Sequence, residues 1–209
     1  MGDYVSWLAG YRLGCIAREH LRGKQEPAAY TPAECIRFDG MQYVDTGIVC
    51  TENTTIKAVF ERDNTNAYYL YGASSDDNKA SVTAYLTSAS GNWRFGGTFA
   101  SWKISALEKH TSIADGTGVQ VDGTLKQHDG TVGTFTAPST LTLGCNHTES
   151  GTYGTTRFEG KVYSFQVYDG ENLVLDYVPA VNPAGVYGFW DSVSKRFVPS
   201  GADTPFGGV

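Results

Sequence analysis

Two acidic side chains, Glu61 and Asp63, are the best placed in the sequence to do acid–base chemistry. Because side chains alternate along a strand, residues two apart project to the same face. A pair of carboxylates on one face can cleave a glycosidic bond when the two groups flank it. Residues 64–66 are Asn, Thr and Asn, so no third acid reinforces the pair. This pattern favours a strand that runs out into a polar turn, and we predict that the chain is not an enzyme.

The remaining polar candidates form no catalytic or metal-binding pattern. The four histidines are scattered along the chain: His20, His110, His128 and His147. We expect them at the surface, because neither a Ser-His-Asp order nor a zinc spacing stands out. Asp45 and the segment 75–78, Ser-Asp-Asp-Asn, could offer oxygen ligands to calcium, and a solvated loop is the other interpretation of that segment. We therefore predict no cofactor and no metal site, with calcium left open.

Aromatic side chains suggest a second kind of chemistry, the binding of sugars. A sugar ring stacks on an aromatic face, while amide and charged groups fix its hydroxyls. The candidates lie between residues 68 and 102: Tyr69, Tyr71, Tyr85, Trp93, Arg94 and Trp102. Alternation predicts that Tyr69 and Tyr71 share one face of their strand and that Arg94 lies opposite Trp93. The alternative is that most of these rings complete a core between two sheets.

Composition excludes several classes of function. The 209 residues carry a formal net charge of −6, which argues against nucleic-acid binding because phosphates need a concentrated positive surface. No run of about 18 apolar residues could cross a membrane, and the start, Met-Gly-Asp-Tyr, is not typical of a signal peptide. The four cysteines have no CxxC spacing, so we expect buried thiols, with a Cys35–Cys50 disulfide as the alternative.

Short strands must position these side chains. From residue 35 onward, runs of apolar, aromatic and β-branched residues alternate with turn residues, several of them Asp-Gly pairs. A sheet this long must fold on itself to cover its apolar face, which predicts a two-sheet sandwich. The predicted strands span residues 35–38, 42–49, 54–62, 67–73, 80–87, 92–96, 99–104, 109–114, 118–122, 124–128, 140–145, 157–168, 171–178, 186–190 and 195–199.

The stretch from Phe158 to Asp169 is predicted to be the central strand of this sandwich. It lacks proline and is rich in aromatic and β-branched residues. Gly160 within it indicates a bulge or a close approach of another backbone. Asp169 and Gly170 predict a tight turn into the next run, Leu173 to Val178, so the two runs should form a hairpin.

Three motifs, in this order, resemble the laminin-G-like, concanavalin A-like jelly roll: Phe38 to Gly47 (FDGMQYVDTG), Val119 to Lys126 (VQVDGTLK) and Phe158 to Gly170 (FEGKVYSFQVYDG). In that fold a first strand carries Phe-Asp-Gly, a central hairpin Val-Asp-Gly and a late strand Phe-x-Gly-x-Ile. The segment Leu175 to Gly208 resembles the ending of such domains in bacteriophage tail and other virion proteins. Its matching residues are Tyr177, Val178, Pro179, Asn182, Pro183, Gly185, Asp191, Lys195 and Phe197, with Val198 where an aromatic residue is usual. The resemblance implies an all-β jelly roll that is a virion component.

An N-terminal helical arm is predicted over residues 1–24, followed by a linker over 25–34 and the jelly roll over 35–209. Asp3 can cap the helix. The arm carries an apolar stripe of Tyr4, Leu8, Tyr11 and Cys15, a small-residue stripe of Ser6, Gly10 and Gly14, and Trp7. Glycines make such a helix marginal alone, so we expect it to order against other virion proteins or further copies of the chain. The alternatives are a helix folded back on its own domain and a membrane-surface helix, which Arg12 disfavours.

These features give a main hypothesis and an alternative. The main hypothesis is a non-enzymatic bacteriophage virion protein, a decoration, fibre or tail component, docked through its arm as a homo-oligomer or with other virion proteins. It would be made in the bacterial cytoplasm and display a lectin-like jelly roll, able to bind cell-surface or mucosal glycans, on the particle surface. The alternative is a soluble bacterial carbohydrate-binding module on which the arm is an appendage.

Overall fold

The computed structural model describes residues 30–88 and 90–208, which form strands, turns and loops and contain no helix. No part of this described chain is therefore a helix that could cross a membrane. The predicted helical arm, residues 1–24, lies outside the described residues. The strands are β1 (Thr31–Pro32), β2 (Ile36–Asp39), β3 (Val44–Thr51), β4 (Thr54–Arg62), β5 (Tyr68–Ser74), β6 (Ser81–Leu86), β7 (Ser90–Gly96), β8 (Thr98–Lys103), β9 (Lys109–Asp115), β10 (Gly118–Val121), β11 (Thr124–Gln127), β12 (Thr136–Leu143), β13 (His147–Thr148), β14 (Glu159–Asp169), β15 (Asn172–Val181), β16 (Tyr187–Asp191), β17 (Arg196–Val198) and β18 (Gly207–Gly208).

The strands form two sheets. The large sheet has 11 strands, and its main path runs β11-β10-β9-β4-β14-β15-β16-β17. The small sheet has 7 strands in the order β3-β12-β5-β6-β7-β8, with β13 beside β5. At one edge of the large sheet β1 pairs with β15, so Thr31 and Pro32, assigned to a linker from sequence, belong to the sheet.

The central position predicted for the stretch 158–169 is confirmed. β14 pairs with β4 along one side, while β2 and β15 pair with successive halves of its other side. The hairpin from β14 to β15 also forms as predicted, with Gly170 at a φ of +57°. An added Cβ on Gly160 would lie 2.2 Å from the carbonyl oxygen of Glu61. The close backbone approach predicted at Gly160 therefore exists, and it occurs against β4.

One hydrophobic core fills the space between the sheets. In β4 every second residue from Thr54 to Arg62 is buried, as expected for a strand with one face inward. Phe60 and Phe165 of the large sheet join Leu86, Trp93 and Phe95 of the small sheet in the same cluster. Each fully buried side chain of this size stabilises the fold by about 1.5–3 kcal/mol. Burial of both inner faces is thus the reason why the chain forms a sandwich.

Two residues of the motif Leu175 to Gly208, Asn182 and Asp191, have local structural roles. The Asn182 side-chain oxygen accepts hydrogen bonds from the backbone N–H groups of Ala184 (2.9 Å) and Val186 (3.0 Å). Asp191 is 5% exposed and accepts from the N–H groups of Asp176 and Val193. Both side chains therefore hold the turns that bracket β16, which accounts for their presence without reference to a partner.

The cysteines of the described chain are buried. Cys35, Cys50 and Cys145 lie in the interior, and no disulfide joins Cys35 to Cys50. Burial raises the pKa of the Cys50 and Cys145 thiols to about 12 each. These two groups are therefore protonated at neutral pH and behave as small apolar side chains.

Candidate functional site

Polar and aromatic side chains cover the outer face of the small sheet in two neighbouring rows. Cross-strand pairing aligns Tyr69, Tyr85 and Asn92 in one row, on β5, β6 and β7. The next row aligns Thr83 and Arg94 with an exposed Phe99 on β6, β7 and β8. Arg94 and Asn92 lie opposite Trp93, as alternation predicted. The two rows border a groove of about 360 Å³.

The rings of Tyr69 and Tyr85 form an aromatic pair in this groove. Their centroids are 4.7 Å apart and their planes are inclined at 42°. Both side chains are half-buried, and neither hydroxyl is hydrogen-bonded to a described residue. Burial, together with Tyr85, raises the pKa of Tyr69, an effect that the nearby Arg94 charge partly offsets. The pair therefore offers apolar ring area and two hydroxyls that have no hydrogen-bond partner among the described residues.

Tyr71 is not part of this face, and the prediction that it would share the face of Tyr69 is wrong. Tyr69 pairs with Tyr85, whereas Tyr71 pairs with Ala84, the residue directly before Tyr85. Leu70 is thus an extra residue, a β-bulge, and the alternation of the strand changes there. Tyr71 consequently points into the core, where it is 1% exposed.

The two tryptophans also lie off this face. Trp93 is 1% exposed and packs in the core, because its position in β7 alternates with Asn92 and Arg94. Trp102 is half-buried against the same core, and its Nε1 donates to the carbonyl oxygen of Val119 (3.3 Å) on the large sheet. Trp93 borders the groove but is too buried to offer ring area there, and Trp102 is not among the residues that line the groove. The core alternative therefore describes both rings, and their sugar-binding role stays a prediction.

Asn146 completes one end of the groove. Its Nδ2 donates to Ser74 Oγ (2.8 Å), and the residue is only 9% exposed. Its Oδ1 is buried and has no hydrogen-bond partner among the described residues. A buried acceptor without a partner costs about 1–3 kcal/mol, so a ligand donor at this atom would be favoured. No pattern in the sequence indicated Asn146 as a site residue; it reaches the groove from the loop after β12.

The carboxylates Glu61 and Asp63 are engaged in other interactions. Glu61 accepts hydrogen bonds from Lys161 Nζ (2.7 Å) and the Tyr163 hydroxyl (3.0 Å). Asp63 forms an ion pair with Arg37 at 2.5 Å. Both acids therefore have partners within the large sheet and its border. That the chain is not an enzyme stays a prediction.

A serine, a histidine and an aspartate meet where the β8–β9 loop contacts the β10–β11 turn. His110 Nδ1 lies 2.7 Å from Asp122 Oδ2, and Nε2 lies 3.2 Å from Ser105 Oγ. His110 is 6% and His128 9% exposed, so the surface placement expected for them is wrong. His110 packs against Phe60, and His128 packs against Phe95. Ser105 Oγ also bonds to the Glu108 carboxylate, and none of the three residues lines the groove on the small sheet. These contacts tie the hairpin to the loop.

The residues considered for calcium, Asp45 and the segment 75–78, form hydrogen bonds within the chain. Within residues 30–88 and 90–208, no three His, Cys, Asp or Glu side chains are grouped closely enough to hold an ion. Asp45 accepts from Gly47 N–H (2.9 Å) and the Tyr153 hydroxyl (2.8 Å), and it borders a second groove of about 390 Å³ together with Arg196. Calcium binding remains an untested sequence prediction.

The comparisons with known proteins show a similarity in fold only. No protein-family model and no curated protein matches the chain. Among solved structures it is similar to domains LG4-5 of the mouse laminin α1 chain (16% identity, TM-score 0.45, 71% of this chain and 45% of that one). It is also similar to the CBM40 of the Ruminococcus gnavus IT-sialidase bound to α2,3-sialyllactose (15%, 0.46, 66% and 91%). A third similarity is to the extracellular region of zebrafish Gpr126/Adgrg6 (10%, 0.51, 87% and 27%).

In two of the three comparisons, this chain corresponds to less than half of the other chain. This chain spans 45% of the laminin chain and 27% of the Gpr126 chain. The all-β sandwich implied by the sequence resemblance is confirmed by the strand arrangement. None of the three structures is a bacteriophage protein, and the virion setting stays a prediction.

Proposed function

We propose that the protein binds saccharides in the groove on the outer face of its small sheet. The observation that carries this proposal is the pairing of the Tyr69 and Tyr85 rings beside the unpaired, buried Oδ1 of Asn146. A sugar has an apolar C–H face that suits the rings and hydroxyl donors that suit the oxygen. Asn92 and Thr83 lie in the same rows and supply further polar contacts.

Other ligand classes fit the groove less well. The net charge of −6 disfavours a nucleic-acid backbone. A peptide that extends a sheet needs a free strand edge. Most of this groove lies across β5, β6 and β7, each of which is paired on both sides, and only Phe99 comes from β8 at the end of the small sheet. The volume of about 360 Å³ is within the range of small-ligand sites. A short saccharide therefore matches the shape and the chemistry together.

The virion setting and the docking role of the arm are separate hypotheses. They rest on the sequence motifs and on residues 1–24, and no contact within the described chain supports or opposes them. The proposed groove would serve a particle-borne protein and a free binding module equally well. The saccharide proposal is thus independent of the choice between these two settings.

The test is a screen of the full chain on a glycan array, followed by titration calorimetry with the saccharides that bind. Tyr69→Ala and Tyr85→Ala should each weaken binding by about tenfold, a loss of about 1.4 kcal/mol. Tyr168→Ala is the matched control, because Tyr168 is a half-buried tyrosine of the large sheet that packs against Lys57. Absence of any glycan binding, or equal losses in all three variants, would contradict the proposal.

A further inference from the structure

Arg94 differs from the other arginines of the described chain in having no partner. Arg37 forms an ion pair, while Arg62, Arg157 and Arg196 donate hydrogen bonds to backbone or side-chain oxygens. Arg94 donates no hydrogen bond and forms no ion pair to any residue within 30–88 or 90–208. A half-buried guanidinium with five free N–H donors is well suited to receive an oxyanion in a planar, bidentate way.

The charge of the groove is opposite to the charge of the protein. The chain as a whole carries −6, yet none of the residues that line the groove is acidic, and Arg94 is its one formal charge. An anion that enters therefore meets no carboxylate in the lining. Partial removal from water strengthens its attraction to the guanidinium relative to an exposed site.

The groups around Arg94 divide into donors and an acceptor. The Tyr69 hydroxyl lies near enough for the guanidinium charge to influence its pKa, and burial keeps that hydroxyl protonated. Tyr69 and Arg94 can thus both donate to an oxyanion. Asn146 Oδ1 is the complementary acceptor, buried and without a partner among the described residues. A ligand that satisfies all three has an anionic group, a hydroxyl or amide N–H donor, and a ring that lies on the tyrosines.

We propose that the groove selects acidic saccharides, with Arg94 binding a carboxylate or sulfate carried on a sugar ring. This inference rests on the proposed saccharide function and specifies its ligand class. Carboxylate and sulfate share the oxyanion chemistry that Arg94 and Tyr69 recognise. Neutral sugars keep the ring and hydroxyl contacts but leave the guanidinium unpaired, so they bind more weakly.

The test compares matched ligands by calorimetry on the full chain. The first probe is a tetrasaccharide of glucuronic acid and N-acetylglucosamine, and its control is the same compound with each carboxyl group reduced to an alcohol. A sulfated disaccharide and its desulfated form make the second pair. We expect the acidic member of at least one pair to bind roughly tenfold or more tightly, with affinity falling as salt is added. The pair that shows the difference identifies the anionic group.

Two variants distinguish the effect of the Arg94 charge from a general effect on the protein. Arg94→Gln should remove the preference, so that the acidic and the neutral member of the pair bind with equal affinity. Arg196→Gln, a matched change on β17 of the large sheet, should alter neither, and thermal unfolding of both variants controls for folding. Equal binding of acidic and neutral members by the unmodified chain would overturn this inference while leaving the saccharide function intact. Binding of neither kind of saccharide would instead overturn the proposed function itself.

Discussion

The side chain of Asn146 lies directly above Gly72, at a distance that leaves no room for a β-carbon. An ideal Cβ on Gly72 would be 2.5 Å from Asn146 Oδ1 and 3.0 Å from Asn146 Cα. Gly72 belongs to the same cross-strand row as Thr83 and Arg94. The missing side chain at this point of the row therefore provides the space in which Asn146 reaches the groove.

Gly72→Ala should displace Asn146 and weaken saccharide binding by tenfold or more. The crowding should also lower the free energy of unfolding by about 1–3 kcal/mol, which leaves the protein folded at 25 °C if its stability is ordinary. Calorimetric titration together with urea unfolding checks both effects. Gly133→Ala is the control, because a Cβ there would meet nothing within 4 Å. Unchanged binding by Gly72→Ala would show that Asn146 has no part in the site.

Trp93→Ala should act on stability and not selectively on binding. Trp93 is buried at 1% exposure in the core, so its removal leaves a large cavity and should lower the free energy of unfolding by about 3–5 kcal/mol. Trp102→Phe should cost about 1 kcal/mol, because it keeps most of the packing and loses one hydrogen bond. Urea unfolding of both variants measures the difference. A fully stable Trp93→Ala protein that had lost only ligand binding would place Trp93 in the site after all.

Arg62→Lys should destabilise the protein although the charge is retained. Arg62 is 1% exposed, and its guanidinium donates to the carbonyl oxygens of Thr87, Ser88, Ile104 and Ser105. Lysine cannot reproduce this fork, so buried carbonyls lose their donors and the free energy of unfolding should fall by about 3 kcal/mol. Chemical denaturation provides the value, with an exposed Arg196→Lys change as reference. If the loss of unfolding free energy were as small as that of the reference, Arg62 would not connect the β6–β7 loop to the β8–β9 loop in the way the hydrogen bonds indicate.

The Glu61–Lys161 pair should make stability depend on pH at both ends of the range. The hydrogen bond from Lys161 lowers the pKa of Glu61 in the folded state despite its burial, so the unfolded chain takes up the proton more readily. The stabilisation is present above the unfolded value of about 4.3 and is lost as the pH falls through the folded pKa. The same hydrogen bond raises the pKa of Lys161, so its contribution is complete below about pH 10.4 and is lost as the pH rises through the folded value.

Unfolding free energies measured between about pH 2 and pH 11 test this dependence. Glu61→Gln should flatten the acid limb and also remove the alkaline contribution of Lys161. Asp169→Asn, at the exposed last residue of β14, is the control for a general effect of charge. If Glu61→Gln followed the same pH profile as the unmodified chain, the pair would contribute nothing to stability.

Ser105 should not behave as a catalytic nucleophile. Although His110 lies within hydrogen-bond reach, the Ser105 hydroxyl is shared with the Glu108 carboxylate. Incubation with a fluorophosphonate probe should therefore leave the protein unlabelled. Labelling that vanished in Ser105→Ala would indicate an activated serine and would reopen the prediction that the chain is not an enzyme.

Local patterns in the sequence predicted much of the strand arrangement. The predicted strand 54–62 coincides with β4, because its apolar residues alternate without interruption. The prediction for β12 began four residues late, since Pro138 argues against a strand. The structure accommodates Pro138 in a region of β12 where the register against β3 shifts, which is where a strand tolerates proline.

The candidate site was predicted only in part, for physical reasons. Tyr69, Tyr85 and Arg94 were among the candidates, and strand periodicity placed Arg94 opposite Trp93. Their meeting on one surface follows from the pairing of β5, β6 and β7. The bulge at Leu70, which turns Tyr71 inward, depends on the pairing of β5 with β6 and has no signature within the segment Tyr-Tyr-Leu-Tyr. Asn146 joins the groove through a contact with Ser74, 72 positions away in the sequence. Such contacts depend on the tertiary fold, and periodicity carries no information on them.

The most direct test of saccharide binding in the groove of the small sheet is a two-dimensional ¹H–¹⁵N NMR titration of the full chain with the saccharide that binds best on the array. We predict that shift changes concentrate at Tyr69, Tyr85, Arg94 and Asn146 and their immediate neighbours, and that they saturate together as the site fills. Changes centred instead on the groove beside Asp45 and Arg196, or spread evenly over both sheets, would contradict this prediction.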